Sequence, residues 1–272
     1  MRDGKGVQIN DDGRVYEGEW LDDRRSGQGY EVYKGGNAYK GAFMNNRAHG
    51  KGAYFWQNGE VYDGEWAQAR KHGFGIWRGM HGDSYVGEWR DNQVNGYGVH
   101  VWKNGDKYEG EWRNSLKCGQ GTDLFANQDV YTGRYDNGLP NGHGQYKWGK
   151  SGASYTGEFC GGMKEGQGKW KKNDRLANCN QYIGDYFQDR KHGQGQFIWE
   201  SGNRYQGGYQ GDKRHGYGEM YWVDGTVYAG QWEYGVQHGL GKLKLPNGQV
   251  KEGLFENNTY LEPMYEEGEN GE

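Results

Sequence analysis

Large apolar and polar residues alternate along this chain in short runs, and the runs recur. Tyr, Gly and an aromatic residue stand at positions i, i+2 and i+4 with mostly polar residues between them, on an interval of 23 to 27 residues. With the tyrosine as position 0, the repeat starts at Tyr16, Tyr39, Tyr62, Tyr85, Tyr108, Tyr131, Tyr155, Tyr182, Tyr205 and Tyr228. Glycine follows at +2 in all ten, and the +4 residue is Trp, Phe or Tyr throughout, from Trp20 to Trp232. A second glycine pair follows at +11 and +13, as in Gly50/Gly52 and Gly193/Gly195, with further large residues at +15 and +17, as in Tyr54/Trp56. Within each half of the repeat these positions share one parity, the period of a strand face. Each repeat therefore reads as strand, short loop, strand and tight turn, and the chain as an elongated single-layer antiparallel meander of β-hairpins.

The turn signals agree with that reading. Asn58-Gly59, Asn104-Gly105, Asp224-Gly225 and Asn247-Gly248 stand just before the strand that opens a repeat. Such dipeptides predict type I′ turns, whose two central positions need positive φ. A loop from +5 to +10 would set the +4 ring opposite the +11 glycine, and the +2 glycine opposite the +13 glycine. Rings would then lie over neighbouring backbone and cover glycines that weaken a strand alone.

Composition narrows the fold classes. Leu, Ile, Val and Phe are only 35 of 272 residues, too few for an aliphatic core, while aromatics make up 16%. Cross-strand aromatic contact must replace that core. The 53 glycines follow no three-residue period, which excludes collagen, and the aromatic content argues against disorder. The net charge of −4 argues against nucleic acid as a partner. The first ten residues, MRDGKGVQIN, carry no apolar leader, and no run approaches a membrane span. Cys118, Cys160 and Cys179 form no disulfide or zinc pattern, and a reducing, cytoplasmic setting is expected.

Boundaries follow from the repeat. An array is expected over 1–255, with a half repeat at 1–13, ten full repeats from Tyr16 to about residue 247, and a degenerate closing repeat at 248–255. An acidic tail occupies 256–272. About 22 strands at ~4.8 Å would make a rod on the order of 100 Å long. The interval lengthens at 171–180 (KKNDRLANCN), read as a longer hairpin loop, with a hinge or a docking loop as the other two readings.

Tyr-x-Gly-x-Trp followed by His-Gly-x-Gly on a 23-residue period resembles the MORN repeat family, over nearly the whole chain from Gly4 to about Phe255. The resemblance implies an elongated, twisted array of hairpins with non-catalytic roles in scaffolding, membrane tethering and dimerisation. Members made almost only of repeats include ciliary radial-spoke head proteins. It therefore implies a cytoskeletal scaffold, in a cilium or flagellum axoneme, that binds several proteins of a multi-subunit assembly, with self-association as a further partner mode.

No catalytic set and no cofactor site is legible. His49, His72, His192, His215 and His238 precede the second glycine pair, but equivalent positions two strands apart lie ~9–10 Å from one another, too far for one metal ion. They are read as turn residues bonded to loop backbone. Two binding surfaces are expected instead. One is a trough of rings densest at Tyr39, Trp56, Tyr62, Trp66, Trp77, Tyr85, Trp89 and Trp102, because a single layer has no second sheet to cover it. The other is a basic edge at +8 and +9: Arg24, Arg25, Arg47, Arg70, Lys71, Arg190, Lys191, Lys213 and Arg214. That edge suits an acidic protein or anionic phosphoinositide. The acidic residues at +1 and +3, on the other face, make membrane lipid the weaker of the two partners.

Overall fold

The computed structural model describes residues 1–261, and they form β-strands joined by tight turns, with one longer irregular connection between Lys171 and Gln181. The remainder of the expected acidic tail, 262–272, lies outside the described residues. Two compact bodies divide after Leu139. The first holds twelve strands, from Gly4–Ile9 to Val130–Asp136, and the second eleven, from Leu139–Lys147 to Thr259–Leu261. Inside each body every strand pairs antiparallel with its neighbours in sequence, so the sheet is an open meander of hairpins.

The hairpins close differently from the expectation. The type I′ turns are the inner ones at +6 and +7, where both residues have positive φ: Asn45 and Asn46 at 50° and 68°, Asp91 and Asn92 at 50° and 70°. Neither carries an Asn-Gly signature. At the Asn-Gly turns between repeats, such as Asn58-Gly59, only the glycine takes positive φ, Gly59 at 91°. There Gly59 donates to the Trp56 carbonyl at 3.0 Å and Trp56 to that of Glu60 at 3.0 Å, a three-residue loop ending in a glycine bulge. Gln128, standing where other repeats have this glycine, adopts the same geometry at φ 74°.

A bulge in the hairpins also corrects the expected register. Gly41 does face Gly52, but Phe43 then faces Ala48 at +9, two residues ahead of the simple count. The +11 glycine is the bulge residue, Gly50 at φ 67°, and its cross-strand partner is the +4 ring of the next repeat, Trp66. The acidic residue at +3 seals this bulge. Glu88 accepts the amide of Tyr97 at 3.1 Å, Glu111 that of Gln120 at 2.8 Å and Asp185 that of Gln194 at 2.7 Å.

The core is a stack of rings on glycines. All ten position-0 tyrosines are buried, at 0–2% exposure. A Cβ added to Gly75 would lie 2.6 Å from Cε2 and Cζ of Tyr62, so that position must be glycine for the ring to lie down. The phenol reaches past the glycine pair and donates to the +3 carbonyl, as from Tyr62 to Glu65 at 3.0 Å and from Tyr155 to Glu158 at 3.0 Å. Tyr62 meets two +4 rings edge-on, Trp66 and Trp89 of the next repeat, both at 5.2 Å. Each such pair contributes about 0.5–1.5 kcal/mol beyond burial. The +4 indoles spend their N–H on the preceding repeat, Trp66 on the Gly52 carbonyl at 2.8 Å and Trp232 on that of Gly218 at 3.1 Å.

Both termini follow the pattern further than the repeat count suggests. Gly6 faces Gly18, so the opening half repeat docks as expected. At the other end the sheet passes residue 255, turns at Asn257-Asn258 and adds Thr259–Leu261. Lys251 stands in the tyrosine position there, and Tyr260 reaches back over Gly253 in its place, its ring 5.4 Å from Phe255. The 171–180 segment folds back on the preceding turn: Asp174 donates to the Gly152 carbonyl at 2.8 Å, and the buried Cys179 thiol to that of Asn173 at 3.2 Å.

Candidate functional site

The aromatic face has two layers. Of the eight rings expected to line a trough, Tyr39, Tyr62, Tyr85, Trp66 and Trp89 belong to the inner layer and are buried, at no more than 8% exposure. They pack on the glycine pairs below and against one another, so little of any of these rings is left open. Trp56, Trp77 and Trp102 form the outer layer and stay half-buried. Trp77 at +15 stands directly across from Tyr62 and Tyr85, while Trp56 and Trp102 at +17 lie two residues beyond that rung.

Over Trp56 and Trp102 lies a cation, Lys71 and Lys117 respectively. The strand alternation sends +8 and +9 to opposite sides, so the expected basic edge splits. Arg24, Arg47, Arg70, Arg190 and Lys213 at +8 are exposed. Arg25, Lys71, Lys191 and Arg214 at +9 lie over the rings instead. Lys71 Nζ stands 4.4 Å from the Trp89 ring and 5.5 Å from Trp56, and the Arg214 guanidinium 4.1 Å from Trp232. Burial pushes the Lys71 and Lys164 ammonium groups below the usual lysine range. Such contacts contribute from about 0.5 kcal/mol when exposed to about 2 kcal/mol when desolvated. Two cations have a buried counterion as well. Arg25 bridges to Glu31 at 2.5 Å, and Lys117 to Asp123 at 2.6 Å, where the Tyr135 hydroxyl also donates at 2.6 Å. Burial and the Asp123 carboxylate together hold the Tyr135 phenol well above its ordinary value.

In the fourth repeat Val94 takes the place of the cation at +9. The rings around it open into a recess of about 250 Å³ lined by Lys71, Trp77, Trp89, His100 and Trp112. His100 stacks on Trp102 at 4.2 Å and 6° between planes, and burial lowers its imidazole below the ordinary range. A second recess of about 330 Å³ lies on the other side of that stack, between Trp102, Lys117, Asp83 and Asp106. Sequence reasoning singled out Trp77 and Trp102 but missed Val94, His100 and Trp112. The signal was present: +9 reads Arg25, Ala48, Lys71, Val94, Lys117 in the first five repeats, a cation alternating with a small apolar residue.

The histidine reading needs correction too. His49 and His215 have a buried Nδ1 with no hydrogen-bond partner, so they are not bonded to loop backbone through that atom. His238 reaches Glu233 at 3.4 Å.

Comparison with curated proteins gives no match. Among solved structures the chain is similar to the SAS-4 (dCPAP) TCP domain of Drosophila melanogaster in complex with a proline-rich motif of Ana2 (dSTIL). The two are 14% identical, the match covers 60% of this chain and 89% of that one, and the TM-score is 0.37. It is similar as well to the TCP10 domain of Danio rerio CPAP in complex with a STIL peptide, at 14% identity, 93% and 100% coverage and a TM-score of 0.36. The MORN repeat family model matches ten times: residues 16–38, 39–61, 62–82, 85–107, 108–130, 131–152, 155–175, 182–204, 205–227 and 228–250. These matches begin at the ten tyrosines on which the ring-on-glycine core is built, and the chain belongs to the MORN repeat family.

Proposed function

We propose that the chain is a non-catalytic scaffold that binds protein partners within a larger cytoplasmic assembly, and that this assembly is an axonemal one such as a radial-spoke head. The observation that carries the binding reading is the split of the aromatic face. The inner rings are largely consumed by the fold, while Trp77 and His100, the latter stacked on Trp102, line a recess where the covering cation gives way to Val94. A partner side chain seated there would gain ring contacts already ordered by the sheet, so little entropy is spent at binding. The axonemal part rests on the resemblance to family members made almost only of repeats.

The test uses native material. Cross-linking mass spectrometry on axoneme extracts is expected to join the chain to neighbours through the segment 77–117. Trp77→Ala should weaken that association about tenfold or more while melting shifts by only a few degrees. A chain that is soluble and monomeric after extraction contradicts the assembly. Intact association beside a large loss of stability contradicts the recess.

Membrane tethering keeps one supporting observation, the exposed cations Arg24, Arg47, Arg190 and Lys213. The +9 half of that edge is turned over the rings and is not free to meet lipid. Co-sedimentation with liposomes that does not respond to phosphoinositide removes this reading.

A further inference from the structure

The face opposite the rings carries a second surface in the first body. In register across five strands stand Asp63, Ile76, Val86, Val99 and Glu109, three β-branched side chains with a carboxylate at each end. At ~4.8 Å per strand the carboxylates are roughly 19 Å apart. The next row on the same face places Phe74 beside Glu88, and Tyr97 beside Glu111. Phe74 and Tyr97 are each 53% exposed and Val86 38%. Apolar strand residues at these positions gain nothing from water and are not needed by the core, which lies on the other side.

The charge around this apolar strip is one-sided. Among the described residues Asp63, Glu65, Glu88 and Glu111 form no ion pair with any Lys or Arg. Glu109 is the exception, held by Lys107 at 2.9 Å and by the Tyr97 hydroxyl at 3.2 Å. Lys51 stands in register with Glu65 but does not close on it. The second body keeps exposed apolar residues at +12, Tyr217 and Leu240, but lacks the β-branched row. Its equivalent row runs Lys169, Ile183, Gln196, Gln206, Glu219, mixed in sign and mostly polar.

We infer that this strip docks a basic amphipathic segment of a partner protein, its apolar side on Ile76, Val86 and Val99 and its Lys or Arg residues over the flanking carboxylates. The occupant follows from complementarity. A sheet face has no free backbone groups, which excludes an added strand. The carboxylate rim repels an anionic membrane. A second copy of this face would set like charges against each other. An α-helix with apolar residues at i, i+3, i+4 and i+7 supplies the required stripe, with cations on its flanks. The site is separate from the recess at Val94, so either can fail alone.

The experiment uses the full chain, ¹⁵N-labelled, and an 18-residue amphipathic helix peptide with a Leu stripe flanked by Lys. The controls are the same peptide with Glu for Lys, and vesicles of anionic lipid. The Lys peptide should bind at least tenfold more tightly than the Glu peptide, weaken with salt, and shift amides of strands 61–67 to 107–113. Val86→Lys, on an exposed strand position, should abolish binding with an unchanged melting temperature. Gln206→Lys and Trp77→Ala should leave binding unchanged. Equal binding of both peptides, amide shifts elsewhere, retained binding by Val86→Lys, or preference for the vesicles would overturn the assignment.

Discussion

On the aromatic face of the first body, Tyr39, Tyr62 and Tyr85 occupy equivalent places and are equally buried; one position further along each strand, on the opposite face, stand Lys40, Asp63 and Val86. One face repeats itself because each ring needs the same glycines beneath it and the same neighbours beside it. A change in one repeat would be felt by two. The other face has no such coupling. Its +3 carboxylates at the bulges serve the fold, but the residues at +1, +12 and +14 make only scattered side-chain contacts that differ from repeat to repeat, such as Lys107 with Glu109 and Gln167 with Asp185. Repetition therefore marks what holds the sheet, and departure from repetition marks where a partner can be told from water. The +9 position on the ring face fits the same rule: its alternation between cation and small residue opens the recess at Val94.

The contrast can be broken most severely with alkali. Burial raises the core phenols, Tyr131 and Tyr228 to about 12 and others further, while an unfolded phenol ionises near its ordinary value of about 10. The folded state keeps protons that the unfolded state has lost. Stability is complete below pH ~10 and falls as pH rises through about 12. Tyrosinate absorbance should accordingly rise in a late step coincident with loss of the sheet signal. Titration of the core phenols with the sheet intact would show that they are not sealed.

A single methyl comes next. In Gly98→Ala the new Cβ would meet Tyr85 Cζ at 2.5 Å and Cε2 at 2.7 Å, and the ring cannot retreat between its two edge-on partners. Denaturant unfolding should show a loss of about 3 kcal/mol or more. Tyr108→Phe removes the phenol's bond to the Glu111 carbonyl and should cost about 1 kcal/mol by the same measurement. On the varied face Gln206→Lys should stay within about 0.5 kcal/mol. A loss near that of Gly98→Ala would mean that the two faces are not distinct in kind.

Much of this was legible in the sequence. The ten tyrosines and their glycines imply the strands, their order and the pairing of Gly41 with Gly52. Three features were hidden for physical reasons. The bulge at Gly50 shifts the register by two, and nothing in the glycine spacing separates a bulge from a straight ladder. The type I′ turns use Asn45-Asn46 or Gln68-Ala69, which carry no Gly and read as ordinary loop. Tyr260 replaces a lost tyrosine from the far strand, a substitution visible only once Gly253 is seen beneath it. Among the binding surfaces, the outer indoles Trp56, Trp77 and Trp102 were readable from their offsets. The +8 and +9 halves of the basic edge could not be separated until the turn length was known.

If the rings are core because they lie on glycine, ring and glycine must be coupled, and a double-mutant cycle at Tyr62 and Gly75 tests this directly. Tyr62→Ala should cost about 3–5 kcal/mol and Gly75→Ala about 3 kcal/mol, each alone. If the alanine methyl is harmful only because the ring occupies its place, the double variant should be more stable than the sum of the two losses by about 1.5 kcal/mol or more. Strict additivity would mean that ring and glycine act independently, and would contradict ring-on-glycine packing as the basis of the core.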